Sequence, residues 1–268
     1  MNIAIIPARG GSVRLLKKNI RPFCGHPLIA WSITQAKTAR QIDKVYVVTD
    51  DEEIAEVSRQ YGAEVFMQPE WMKTKKPNGG MPVLYGLTEA MKQGEVDIMV
   101  SMLCTNPLVL PGDLDKGIGL VRDLAIEGIG PLQPMRELVL SRVTGKYTCR
   151  TEILSKDFEY LREGGNWWVT TARHMLAFTE FPQEDIDWGS DKTMGEFQPS
   201  NRYYFPVEVW QYADTDTLEE FEMAEVLAAH YILKGRDMLT VYEEYAARRN
   251  DTDSMISKHA GNLAQQGG

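Results

Sequence analysis

Ile3-Ala4-Ile5-Ile6-Pro7-Ala8-Arg9-Gly10-Gly11-Ser12 opens the chain with an apolar run that passes directly into a loop of small residues. The run reads as a buried strand. Gly10, Gly11 and Ser12 let backbone N–H groups close on a bulky anion, because a β-carbon would obstruct the approach. A concavity of amides is a phosphate site, and Arg9, Arg14, Lys17 and Lys18 add charge around it. Without that context the segment is an ordinary strand-to-loop turn with solvated basic side chains. The P-loop spacing and the dinucleotide fingerprint Gly-x-Gly-x-x-Gly are both absent.

Working outward, Val- and Ile-rich runs at residues 2–7, 44–48, 63–67 and 97–103 alternate with helical stretches near 27–39, 52–61, 83–92 and 113–124. This alternation predicts right-handed βαβ units around a buried, mostly parallel sheet, an α/β fold in three layers. Ligands of such sheets sit at the carboxyl ends of the strands, where the Arg9–Ser12 loop belongs. From about 129 to 201 the pattern loosens, with scattered Gly, Pro and Trp, and reads as a hairpin through Gly145 and a helix from Thr171 to Phe178. This stretch reads as an inserted lobe over the site or an oligomer contact within one domain, 1–247. Residues 202–210 resume as a strand. Thr217 to Leu233 reads as a helix with Phe221, Ala224, Ala228 and Tyr231 on one face and a Thr217/Glu220 capping box. The polar end, 248–268, reads as a frayed tail.

The chain has 268 residues with 29 Lys plus Arg against 38 Asp plus Glu, a formal charge of −9. That balance argues against general affinity for nucleic acid or an anionic membrane, and a basic loop on an acidic protein points to a small anionic ligand. Cys24, Cys104 and Cys149 are few and far apart, and no Cys/His spacing suits zinc. No leader opens the chain and no long apolar run crosses a membrane, so a reducing cytoplasm is the expected compartment. His26, His174, His230 and His259 do not gather, and Ser12 has no evident His/Asp partner, so acyl-enzyme chemistry is not expected.

Asp214-Thr215-Asp216-Thr217 is the second chemical signal. Two carboxylates at i and i+2 on an extended strand end point the same way and suit Mg²⁺, which takes one or two carboxylates plus substrate phosphates. The competing reading is a turn beside a helix N-terminus. For Asp50 and Asp51, before Glu52-Glu53-Ile54-Ala55, the helix cap is the preferred reading.

Pro7 to Ser12, Lys18 and Asn19, then Gly25, Pro27, Leu28 and Ile29, resemble the signature of the CMP-sialic acid synthetases (acylneuraminate cytidylyltransferases). Phe23-Cys24-Gly25 through Ala30-Trp31-Ser32 is similar to the branch activating bacterial nonulosonic acids such as pseudaminic acid. Asp214, Asp216, Thr217, Ala224 and Glu225 fall in register with a second motif whose aspartates serve the divalent metal in that family. The resemblance implies a nucleotide-diphospho-sugar-transferase-like fold, a homodimer, and transfer of CMP from CTP to an acidic sugar with Mg²⁺. Catalysis would fall to Arg9, Lys18 and Asp216, and metal binding to Asp214 and Asp216. The nucleotide would be held by Ala8, Arg9, Gly10, Gly11, Ser12, Arg14, Lys18, Asn19 and Asn78, and the sugar by Thr105 and Arg162.

Departures from the family pattern cluster in the middle of the site. Val13 and Leu16 replace a lysine and a proline, Gln68 an arginine, Lys75 an aspartate and Asn78 a serine. Leu103-Cys104-Thr105-Asn106-Pro107-Leu108-Val109 stands for Gln-x-Thr-Ser-Pro-Leu-Arg. Arg14 and the cations of 73–76 could compensate for lost charge. The alternatives are a different nucleotide or acceptor, or a non-catalytic nucleotide-binding module on the same scaffold.

Overall fold

The computed structural model describes residues 1–12, 14–73, 80–135, 160–163, 167–177 and 202–247. The first apolar run is strand β1, Ile3–Pro7, and its four leading residues are buried on both faces, as a central parallel strand requires. A short hairpin, β2 (Pro22–Phe23) and β3 (His26–Pro27), leads into helix α1, Leu28–Thr38. Strand β4 (Lys44–Thr49), helix α2 (Glu52–Gln60) and strand β5 (Glu64–Met67) follow. Gly62 ends α2 from a left-handed φ of 82°, a conformation in which glycine commonly stops a helix. Next come α3 (Glu70–Lys73), α4 (Gly80–Met91), β6 (Ile98–Met102) and α5 (Pro111–Asp123).

The loosened stretch is partly sheet. Strands β7 (Gly128–Met135), β8 (Tyr160–Glu163) and β9 (Trp167–Thr171) and the short helix α6 (Ala172–Leu176) fall within or beside it, and β10 (Arg202–Pro206) comes next. The order across the sheet is β10-β7-β9-β6-β1-β4-β5, with β8 beside β7. The pairings β1/β4, β1/β6, β4/β5 and β7/β10 are parallel, whereas β9 runs antiparallel to β6 and β7. Thr171 caps α6 by accepting from the His174 N–H at 3.2 Å, so that helix begins where the sequence indicates. Gly145 and the tail 248–268 lie outside the described residues.

Alternate residues of each strand load two faces. Ala4, Ile6, Val45, Val47, Val100 and Trp167 pack under α1 and α5, while Ile3, Ile5, Tyr46, Val48 and Met99 pack under α4. Strand β10 is shorter than expected, because Val209–Gln211 turns into a 3-10 helix. Helix α7 spans Leu218–Leu227 and continues as a π-helical turn, Ala228–Leu233. The wider turn rotates the register. Ile232 and Leu233 reach the core, while Tyr231 is left 42 % exposed and stacked on Trp210 rather than sharing the face of Phe221.

A third cluster brings the two ends of the chain together. Phe23 of the hairpin stands edge-on to Trp31 of α1 (ring centroids 5.2 Å) and to Phe221 of α7 (5.3 Å), with Met238 and Tyr242 of the terminal helix, residues 238–247, closing around them. Each such aromatic pair adds about 0.5–1.5 kcal/mol beyond area burial. Lys18 lies just before that hairpin and Asp216 just before α7, so this packing fixes both at one end of the sheet.

Candidate active site

Strand β1 sits where the sheet changes direction, with β4 on one side and β6 on the other. The carboxyl ends of the parallel strands β1, β4 and β6 lie side by side here, and an α/β sheet takes its ligands outside such ends. A cavity of about 300 Å³ opens there, walled by Pro7–Arg9, Ser12, Arg14, Leu15, Lys18 and Asn19, by Gln68 and Pro82, by Leu103–Thr105 and by Asp216.

Three cations reach it. Arg9 is exposed and has no ion partner among the described residues. Lys17 adopts a left-handed φ of 52° and reverses the chain. Its own ammonium points out to Glu53 (2.5 Å), while the next side chain, Lys18, turns into the cavity wall. Lys18 Nζ donates to Asp216 Oδ1 at 2.5 Å, and Arg14 pairs with the other oxygen of the same carboxylate. Residues 198 positions apart thus meet in one ion pair.

The acidic pair does not sit on a strand end. Residues 212–217 are irregular, and Asp216 N–H donates back to the Asp214 carbonyl at 2.9 Å in a tight turn. Nor do the carboxylates cap α7: Thr217 and Glu220 form the capping box. Thr215 anchors the turn from within, since its N–H and hydroxyl both donate to the Thr105 carbonyl, at 3.0 and 3.2 Å. Burial is the main force raising the Asp214 carboxyl above the ordinary carboxylate range, and neighbouring Asp216 adds to it. Lys18 and a hydrogen bond to the Thr105 side chain oppose the shift.

Among the described residues no three His, Cys, Asp or Glu side chains come together, so an all-protein metal cage does not form. Asp216 lines the cavity and Asp214, bonded to the Thr105 side chain, stands beside it without lining it; such hard oxygens fit an ion that takes one or two protein carboxylates and completes its shell from phosphate and water.

The loop amides correct a simple expectation. Ala8 N–H continues the ladder to the Val48 carbonyl (2.9 Å), and Ser12 N–H bonds the Gly10 carbonyl (2.9 Å). Gly10 N–H is held by Asp50 Oδ1 at 2.8 Å. Of the loop's N–H groups only those of Arg9 and Gly11 are uncommitted among the described residues, so Ala8, Gly10 and Ser12 shape the loop rather than donate backbone bonds to a ligand. Gly10 is required for a different reason: a β-carbon there would collide with the Asp51 side chain.

Asn19, 5 % exposed, donates from Nδ2 to the Arg9 carbonyl at 2.9 Å and so pins the loop. Asp51 caps α2, accepting from Glu53 and Ile54 N–H (2.8 and 3.1 Å). Asp50, the loop's second anchor, carried no signal of that role in the sequence.

Thr105 reaches the cavity, whereas Arg162 is placed on β8 opposite Gln133. Val13, Lys75 and Asn78 lie outside the described residues. Leu103 lines the cavity, but Val109 is buried in the core. Trp167 packs on Phe205 (centroids 5.4 Å), and Trp168 lies against Gly130 on the opposite face. His26 bonds Tyr61 and Asp237, and His174 faces Glu127, so these two do not share a site.

Residues 3–124 match a family model described as Cytidylyltransferase. The pseudaminic acid cytidylyltransferase of Campylobacter jejuni is 52 % identical over 63 residues, 24 % of this chain and 27 % of that protein. N-acylneuraminate cytidylyltransferase A of Danio rerio is 26 % identical over 221 residues, 80 % of this chain and 50 % of that protein. The chain therefore spans between about a quarter and half the length of these curated relatives. The solved structure of CMP:2-keto-3-deoxy-manno-octonic acid synthetase complexed with CTP aligns with a TM-score of 0.66 at 19 % identity, covering 85 % of this chain and 98 % of that one. That likeness is one of fold.

Proposed function

We propose that the chain, whose residues 3–124 match the cytidylyltransferase family model, transfers CMP from CTP to the hydroxyl of an acidic, nonulosonic-type sugar. The sugar oxygen forms a bond to the α-phosphorus, the bond to the bridging oxygen breaks, and pyrophosphate leaves. Such chemistry needs positioning and charge neutralisation more than covalent groups. What carries the reading is the Lys18–Asp216 contact, which joins a cationic loop to an acidic turn at the strand-end crevice.

In this scheme Arg9, Lys18 and Arg14 bind the triphosphate oxygens, with the free N–H groups of Arg9 and Gly11 beside them. Asn19 and Asp50 hold the loop in shape for that contact. Thr105, with Arg162 from the family motif, is assigned to the acceptor side, and Asn78 to the nucleotide. Asp214 and Asp216 would hold Mg²⁺, which when bound neutralises developing phosphate charge and increases the acidity of a nearby hydroxyl. Arg14 and Lys18 hold the Asp216 carboxylate at the cavity wall until then.

The reading is tested by pyrophosphate release with CTP and a panel of acidic sugars, with and without Mg²⁺. Mg²⁺-dependent release on a nonulosonic acid bears it out. Tight CTP binding with no turnover on any acceptor replaces it with a binding module.

A second reading keeps the chemistry and changes the acceptor. It is favoured by Leu103 lining the cavity where the family has glutamine, and by Val109 lying in the core where the family has arginine. The resemblance also supports a cytoplasmic homodimer, which sedimentation would test. No helix of the described residues is long and apolar enough to cross a membrane.

A further inference from the structure

Cys104 belongs to none of the groups that would hold phosphate, metal or sugar, yet it stands where both halves of the cavity are tied down. It is 3 % exposed, and its Sγ lies 3.1 Å from Asn19 Oδ1. Burial pushes its thiol up to about 11, so at neutral pH it keeps its proton and acts as a donor rather than as a nucleophile. An amide oxygen only accepts. The bond therefore runs from the thiol to Asn19 Oδ1, and the amide's other end donates to the Arg9 carbonyl at 2.9 Å.

The Arg9–Gly10 peptide plane is then gripped from both edges. Its oxygen is held by Asn19, and its N–H is held by Asp50 Oδ1 at 2.8 Å. Because the peptide unit is planar, two anchors on opposite edges stop it from flipping. One residue further along, the Thr105 carbonyl accepts the N–H and hydroxyl of Thr215, and the Thr105 side chain bonds Asp214. Two consecutive residues of a single turn after β6 thus fasten the cationic loop and the acidic turn.

We propose that Cys104 is a positioning residue: through Asn19 it holds the Arg9–Gly10 peptide, and with it the Arg9–Ser12 loop, in the arrangement that receives the nucleoside triphosphate. The role rests on the cytidylyl-transfer reading. A thiol suits it because it is a small donor that a buried, largely apolar strand end can accommodate. Pre-set loop geometry favours binding by lowering the ordering cost at the moment of contact.

The test uses the full chain and three variants. Cys104→Ala removes the donor, Cys104→Val fills the volume without one, and Cys104→Ser keeps an O–H. Hydrogen exchange of the bonded Gly10 and Ser12 amides is read without nucleotide, and CTP affinity by calorimetry with Mg²⁺ present. Ala should speed loop exchange and weaken CTP by roughly 3- to 10-fold, the scale of one neutral hydrogen bond. Turnover at saturating CTP should stay within about twofold, since no contact to reacting atoms is lost. Ser should restore both loop exchange and affinity. If Ala does not fold, Val against Ser gives the same comparison. Equal exchange and equal affinity in Ser and in either donor-free variant overturn the proposal. A wild type that binds no CTP would defeat the cytidylyl reading instead, while exchange alone would still decide what Cys104 does.

Discussion

Two pairs of acidic residues occupy similar places in the chain and do different things. Asp50 and Asp51 follow β4 and precede α2, and Asp214 and Asp216 precede α7. In the first pair both carboxylates accept from backbone N–H groups: Asp51 caps the helix and Asp50 takes the Gly10 amide. In the second pair a Thr217/Glu220 box caps the helix, leaving Asp216 to meet Lys18 and Arg14. What separates them is the identity of the N-cap. A carboxylate that must satisfy a helix start is committed to that start, whereas one displaced from the cap by a threonine can hold cations.

The strongest way to break this contrast is Asp216→Ala. Turnover should fall by roughly 10²–10³-fold, the scale for losing one preorganised electrostatic contact at a transition state. Because Thr217 does the capping, far-UV CD and thermal unfolding should stay close to wild type. Unchanged pyrophosphate release would reduce Asp216 to a surface partner of Arg14. Lys18→Ala should act mainly on binding. Losing a charge-assisted bond of roughly 1.5–3 kcal/mol raises the CTP dissociation constant by more than tenfold. Wild-type affinity in calorimetry would remove Lys18 from the site.

How much of this was legible can be judged residue by residue. The parallel half of the sheet could be read because Ile3–Ile6 and Val45–Val48 are continuous apolar runs, and because Gly62 marks a helix stop. Strand β9 was harder: as strand neighbours Trp167 and Trp168 must face opposite sides, but only the fold decides that Trp167 enters the core and Trp168 lies on Gly130. The face of the helix after Thr217 was read through Tyr231, one position short of the buried Ile232, because a π-helical turn has no periodic signature. The glycine loop revealed the site but not the state of its amides. Gly10 N–H is claimed by a carboxylate 40 residues away, a contact that local spacing cannot encode. The meeting of Lys18 with Asp216 depends on aromatic packing between the hairpin and α7, which in sequence is only a scatter of Phe23, Trp31 and Phe221.

Asp51→Ala tests the other side of the contrast with a smaller effect. Loss of the α2 cap should cost about 1 kcal/mol in urea unfolding, with kcat close to wild type. A collapse of turnover without loss of stability would place Asp51 in the chemistry rather than at the helix start.

The smallest effect on stability should come from Asp214→Asn, and it is a matter of sign. Burial and Asp216 raise the Asp214 carboxyl in the folded chain, so the folded state binds its proton more tightly than the unfolded state does. The stability linked to that proton is fully present below the ordinary value of 3.8 and is lost as pH rises through the folded value. At neutral pH the wild type therefore bears the cost of an ionised, half-buried carboxylate beside Asp216, a cost that asparagine escapes. The variant should melt slightly higher than wild type at pH 7, and the gap should close as the pH is lowered past the carboxylate range. A cation bound by the pair would offset the same cost, so Mg²⁺ should raise the wild-type Tm more than that of the variant. If Asp214→Asn instead melts lower at pH 7 and is unaffected by acid, the carboxylate is a net anchor through Thr105, and Asp214 resembles Asp50 more than Asp216.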